Sequence, residues 1–176
     1  MHYRYSQVAR LLHWLTVLLV FVMFVLGIAM VYLVPDSAEA LSHRLYNTHE
    51  SLGVVVLVVT LLRLIRRWRH PPAPLPEHVP RIFQVVGHAT HVLLYILLLV
   101  QPVIGLLRDN ADGFQLVWFE IVPVPLLIGK DVALAQGLSA VHWYGALLIA
   151  LLIGAHIGGA LFHGVIRRDG VLQRML

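Results

Sequence analysis

Residues 132–166, VALAQGLSAVHWYGALLIALLIGAHIGGALFHGVI, run for 35 positions without a Lys, Arg, Asp or Glu and still carry His142, His156 and His163. A helix needs about 20 mostly apolar residues to cross a bilayer core, so this stretch spans one with length to spare. Two more uncharged runs pass the same test, 11–34 with 24 residues and 82–107 with 26. The run from Ser51 to Leu62 is shorter and is flanked by Glu50 and Arg63. It completes a fourth span because an odd number would strand the basic segments on opposite sides of the membrane. The expectation is one all-α domain over 1–176, a four-helix integral membrane bundle with spans at about 8–34, 45–66, 82–107 and 138–166.

The rest of the chain agrees with this. Of its 176 residues 59% are hydrophobic and 12% charged, and the mean hydropathy is +0.81, which excludes a water-soluble globule. Cysteine is absent, so disulfides, iron–sulfur clusters and covalently attached c-type haem are excluded as well. Ten of the 13 Lys and Arg lie in the N-terminal segment, in 63–81 and in the C-terminal tail, leaving Arg44, Arg108 and Lys130 for the other side. The positive-inside rule therefore puts both termini and the Pro-rich connector 70–80 in the cytoplasm. The net charge of +4 follows from basic loops at an anionic lipid surface and calls for no nucleic acid. The first apolar run is about twice the length of a signal-peptide core, which makes it a retained span. The outer connector 109–131 mixes charges with Leu116, Trp118, Phe119 and Ile121, and is expected to lie on the membrane surface or to cover the bundle.

Eleven histidines stand out against this apolar background. An imidazole inside a membrane helix needs a partner, and it is also the usual nitrogen ligand of haem iron. His142 and His156 are 14 residues apart, which puts them within about 40° of one helix face and roughly 21 Å apart along the axis. His13 lies near the inner start of the first span and His49 near the outer start of the second. Depth therefore pairs His13 with His156 and His49 with His142, as two bis-histidine haem sites, one per leaflet. A hydrogen bond between helices is the alternative for any one of these residues, but not readily for two depth-matched pairs.

The same 14-residue spacing places Gly27 after His13 at the level of the outer site, where a flat macrocycle can approach the backbone. It places Arg63 after His49 at the level of the inner one, where a guanidinium can meet a propionate or instead snorkel to the cytoplasm. Gly53 and Gly145 also lie near candidate ligands and suit close approach of a cofactor or of another helix. His163 follows His156 by seven residues on the same face, so spacing leaves both open as the inner ligand. His163, His88 and His91 are alternatively groups that supply protons to a quinone. With both axial positions of each iron filled, the expected chemistry is outer-sphere electron transfer across the membrane.

These residues resemble the bacterial cytochrome b561 family, whose members include superoxide:ubiquinone oxidoreductases, also called superoxide oxidases. The resemblance is carried by Leu12-His13-Trp14, by His49 with Gly53 and the basic exit Arg63 to Arg67, by His88-x-x-His91 with Pro102 to Gly105, and by His142-Trp143 with Gly154-Ala155-His156. It implies two noncovalent haem b groups, the cytoplasmic one on His13 and His156 and the periplasmic one on His49 and His142. It also implies His156 rather than His163 as the inner ligand, with His163 a candidate quinone-site residue. Electrons would then pass from superoxide on the periplasmic side to ubiquinone on the cytoplasmic side. The outer segments hold seven acids against three bases, a balance that repels an anion and suits a basic donor protein. Two alternatives follow: a cytochrome b subunit for a periplasmic dehydrogenase or hydrogenase, and, outside redox chemistry, a membrane protein binding a metal through His88, His91 and His163.

Overall fold

The computed structural model describes residues 4–35, 37–74 and 78–176. His2, Asp36 and part of the 70–80 connector lie outside the described residues. Four long helices carry the chain: α1 Gln7–Ile28, prolonged by a π-helical turn Ala29–Leu33; α2 Glu39–Arg69; α3 Arg81–Asp112; and α4 Val132–Leu161, prolonged by a second π-helical turn Phe162–Arg167. All four are long and apolar enough to cross a membrane. The helices outrun the hydropathy-based spans: α2 starts at Glu39 rather than near 45, α3 runs on to Asp112, and α4 begins at Val132. Hydropathy marks where lipid ends, whereas a helix stops where its caps stop it.

Those caps are visible. The Ser6 side chain accepts from Ala9 N–H at the start of α1, and Asp131 accepts from Leu134 N–H at the start of α4. Pro80 precedes α3, and Gly113, at φ 95°, ends it in the left-handed conformation. The buried Thr16 hydroxyl donates to the Leu12 carbonyl one turn back, and the half-buried Thr90 donates likewise to Val86 O. That lets a polar side chain sit at membrane depth.

Helix α1 packs on α2, α2 on α3 and α3 on α4, while no comparable backbone packing joins α1 to α4 among the described residues. Helix α2 buries more residues than any other span: Ser51, Gly53, Val56, Val59 and Thr60. Leu11, Trp14, Leu18, Phe21, Val25 and Ile28 of α1 and Tyr32 of its π-helical turn recur every three to four residues and are exposed, an apolar face suited to lipid. The connector after α3 forms a small antiparallel hairpin, β1 Val117–Trp118 and β2 Val122–Pro123, which packs against α2. Asn47 donates to Val117 O, the Trp118 indole donates to Ser51 O, and Ser51 Oγ accepts from Phe119 N–H. The connector thus covers one end of the bundle, and Trp118 is tied to α2.

At the other end the C-terminal tail folds back over the N-terminal segment and the α2–α3 connector. Tyr5 N–H donates to Arg174 O and the Trp14 indole to Met175 O. The buried Arg174 guanidinium donates to Ala73 O and Pro74 O and lies over the Tyr5 ring. Gly164 makes the return possible, because a Cβ there would collide with Leu172.

Candidate functional site

Two clusters of histidine lie inside the bundle, one toward each end. At the end that holds the termini, every helix contributes: His13 from α1, Arg63 from α2, His91 from α3 and His156 from α4. The His13 and His156 rings have centroids 6.1 Å apart at an interplanar angle of 70°. His91 stands edge-on to His156 at 5.1 Å. A guanidinium nitrogen of Arg63 lies 3.1 Å from His13 Nδ1, and the same guanidinium sits 5.4 Å from the centre of the Tyr95 ring. The cation that interrupts the second span is therefore held against the histidine it shares a depth with.

Toward the far end, His49 of α2 and His142 of α4 have ring centroids 6.4 Å apart at 68°. Gly27 faces this pair, since a Cβ on it would lie 3.7 Å from His49 Cε1. Gly105 of α3 backs His142 more tightly, at 3.2 Å to Cε1. The Gln101 amide donates to the His142 backbone carbonyl, and Gly145 leaves the room that side chain occupies. Gly53 lies at a helix crossing, where a Cβ would meet Met23 and Pro102 at 3.8 Å.

The two cross-bundle separations can be tested against a metal. With a metal–nitrogen bond of about 2.0–2.1 Å and about 1.1 Å from ring nitrogen to centroid, one metal between two imidazoles sets the centroids roughly 6.3 Å apart. Both His13–His156 and His49–His142 meet this value, while His91–His156 is too short by about 1 Å. The buried Nδ1 atoms of His49 and His142 have no hydrogen-bond partner among the described residues. Buried imidazole nitrogens without a partner in an apolar interior are costly unless a further group satisfies the rings. The residues present therefore fit a haem that would be held by the two histidines of a pair.

His163 is placed differently. Its Nδ1 lies 2.6 Å from Asp169 Oδ2, and the ring is flanked edge-on by Phe83 and Phe162 at 5.8 and 5.9 Å. His88 is exposed, so the structure does not gather His88, His91 and His163. Among the described residues no three His, Asp or Glu side chains are arranged to hold a metal ion. Sequence reasoning missed Gln101, Tyr95 and Asp169. A glutamine in the middle of an uncharged span was a usable signal for the first. Nothing local marks the other two.

A membrane-spanning helical bundle with paired histidines at two depths is the architecture of a transmembrane cytochrome b. The family model described as prokaryotic cytochrome b561 matches residues 4–176, and the chain belongs to that family. It is thus a multi-pass bacterial membrane protein of transmembrane electron transfer that carries haem b. Cytochrome b561 homolog 2 of Escherichia coli (strain K12) is 32% identical over 176 residues, covering 98% of this chain and 91% of that protein. A protein of Yersinia pestis described as "Probable superoxide oxidase CybB" is 29% identical, covering 100% and 97%. Cytochrome b561 homolog 1 of Escherichia coli (strain K12) is 28% identical, covering 98% and 97%.

Proposed function

We propose that His13 with His156 and His49 with His142 each hold one haem b, stacked across the membrane. The chain then carries electrons from a donor at the far end to ubiquinone near the end that holds the termini. The observation that carries this reading is the pair of ring separations, 6.1 and 6.4 Å, each suited to one axially ligated iron. Haem b supplies reversible one-electron chemistry with no open coordination position when both axial sites are taken. The protein's share is to hold the rings, exclude water and set the surrounding charge. Arg63 places a cation beside the pair nearer the termini, Gly27 and Gly105 keep bulk away from the other pair, and Gln101 anchors the backbone of His142. The clustering of basic residues at the termini end supports a cytoplasmic location for that end.

Superoxide as donor is supported by the Yersinia relative's description. The far-end surface supports a basic donor protein as a second reading. Arg108 is engaged with Asp109 at 2.9 Å, which leaves Arg44 and Lys130 beside Glu39, Asp112, Glu120 and Asp131, a local excess of negative charge. Two measurements decide these points. Pyridine haemochrome on the detergent-purified chain should count two b haems and the reduced-minus-oxidised spectrum of the intact protein should be low-spin, with His13→Ala and His142→Ala each losing a different haem; retention of both by both variants would end the ligand assignment. Stopped-flow reduction by superoxide should be saturable and should feed a ubiquinone analogue. No reduction would leave the donor-protein reading.

A further inference from the structure

The pair His163–Asp169 lies outside both haem pockets and takes no part in ligation. Asp169 is buried, and both its oxygens are occupied. Oδ2 accepts from His163 Nδ1 and from Arg167 Nε at 3.1 Å, and Oδ1 accepts from Val171 N–H at 3.3 Å. Burial pushes its carboxyl up, yet the hydrogen bonds from His163, Val171 and Arg167 outweigh that and hold it below the ordinary carboxylate value. An ionised carboxylate accepts only, so the Nδ1 of His163 carries a hydrogen. Its Nε2 is engaged by no hydrogen bond among the described residues, and the side chain keeps 13% exposure. Phe83 and Phe162 wall the ring with apolar surface, and Arg167 lies over Phe83 at 5.5 Å while donating to His78 O.

We infer that Asp169, braced by Arg167, is the positioning residue that fixes the His163 tautomer, so that Nε2 alone exchanges protons with a quinone docked against Phe83 and Phe162. The inference rests on the reading of His163 as a quinone-side residue. The step is a simple transfer. The haem that His13 and His156 would hold would supply the electrons; for each one taken up by a quinone oxygen, the Nε2–H bond of protonated His163 breaks and an O–H bond forms. The hydrogen on Nδ1 stays on that nitrogen, donated to Asp169, and water at the termini end reloads Nε2. A second electron and a second turn of the same group complete the quinol. Rotation of the ring would expose Nδ1 instead and break this cycle, and the carboxylate prevents that rotation.

The test is a double-mutant cycle on the haem-loaded protein, following reoxidation of dithionite-reduced haem by a soluble ubiquinone analogue. Asp169→Asn should lower the maximal rate at least about tenfold with the quinone KM and the haem spectrum unchanged, and Asp169→Glu should recover part of the loss. In a His163→Gln background, Asp169→Asn should cost nothing more. If His163→Gln itself leaves the rate unchanged, the quinone-side reading of His163 falls and this inference with it. If His163→Gln is slow but Asp169→Asn is not, or if the two losses simply multiply, only the role of Asp169 is overturned. Nitrogen-15 NMR of histidine-labelled, fully reduced wild-type protein checks the tautomer without any variant. A hydrogen on Nδ1 of His163 supports the assignment, and a bare Nδ1 with a protonated Nε2 overturns it.

Discussion

Arg63 of α2 touches His13 of α1, with 3.1 Å between a guanidinium nitrogen and Nδ1, so the one cation well inside the second span is spent on a histidine of another helix. A positive charge at that point favours the electron-loaded state of a neighbouring redox centre. Arg63→Gln should therefore lower the midpoint potential of the haem nearer the termini, by on the order of 50 mV for one charge in a medium of effective dielectric about 20. The other potential should stay nearly fixed. Spectroelectrochemical titration separates the two, and two unmoved potentials would place Arg63 away from the redox path.

His91 offers a sharper test of ligand choice. Its ring is closer to His156 than His13 is, 5.1 against 6.1 Å, and a contact rule alone would select it. The metal-spanning distance selects His13. His91→Ala should keep two haems per chain with an intact low-spin spectrum, whereas His13→Ala should not. Loss of one haem from His91→Ala would reverse the assignment.

The two glycines that face the far pair should respond unequally. A Cβ at Gly27 makes ordinary contact with His49 at 3.7 Å, while one at Gly105 presses on His142 at 3.2 Å. Gly27→Ala should leave haem content and thermal stability near wild type. Gly105→Ala should displace the His142 ring by a few tenths of an ångström and cost about 1–3 kcal/mol, read as a lowered Tm and a broadened band of the corresponding haem. Equal behaviour of the two variants would contradict this packing.

The tail that closes over the termini should respond to acid with a defined sign. Asp169 is held below its ordinary value of 3.8, so the stability it contributes is present above that value and disappears as pH falls through the lower folded one. Hydrogen exchange of Val171 N–H should be slower in wild type than in Asp169→Asn at pH 7 and equally so at pH 5. The two should converge only below about pH 4. A difference that vanishes between pH 7 and 5 would mean that another group governs the tail.

Much of this arrangement was legible because a helix converts spacing into direction. The 14-residue rule put Gly27 at the depth of His49 and Arg63 at the depth of His13, and both neighbours are in place. Spacing says nothing about how one helix is rotated against another, which is why His91 beside His156 and Gly105 beside His142 were out of reach. Asp169 was hidden for another reason. Its approach to His163 depends on a backbone reversal through Arg168 at φ 51° and Gly170 at φ 81°, and an arginine carries no hint of a left-handed conformation. The helix ends beyond the lipid were missed because polar turns at 39–44 and 108–112 continue a helix without any hydropathic trace.

Helices α1 and α4 meet through histidine rather than through packed backbone, and each cross-bundle histidine pair takes one member from α4, the fourth span in chain order. Neither pair exists before α4 has been made. On the proposed ligand assignment, a product truncated before His142 would hold haem at neither pair, so that colour in this protein would mark a chain whose translation ran past its fourth span.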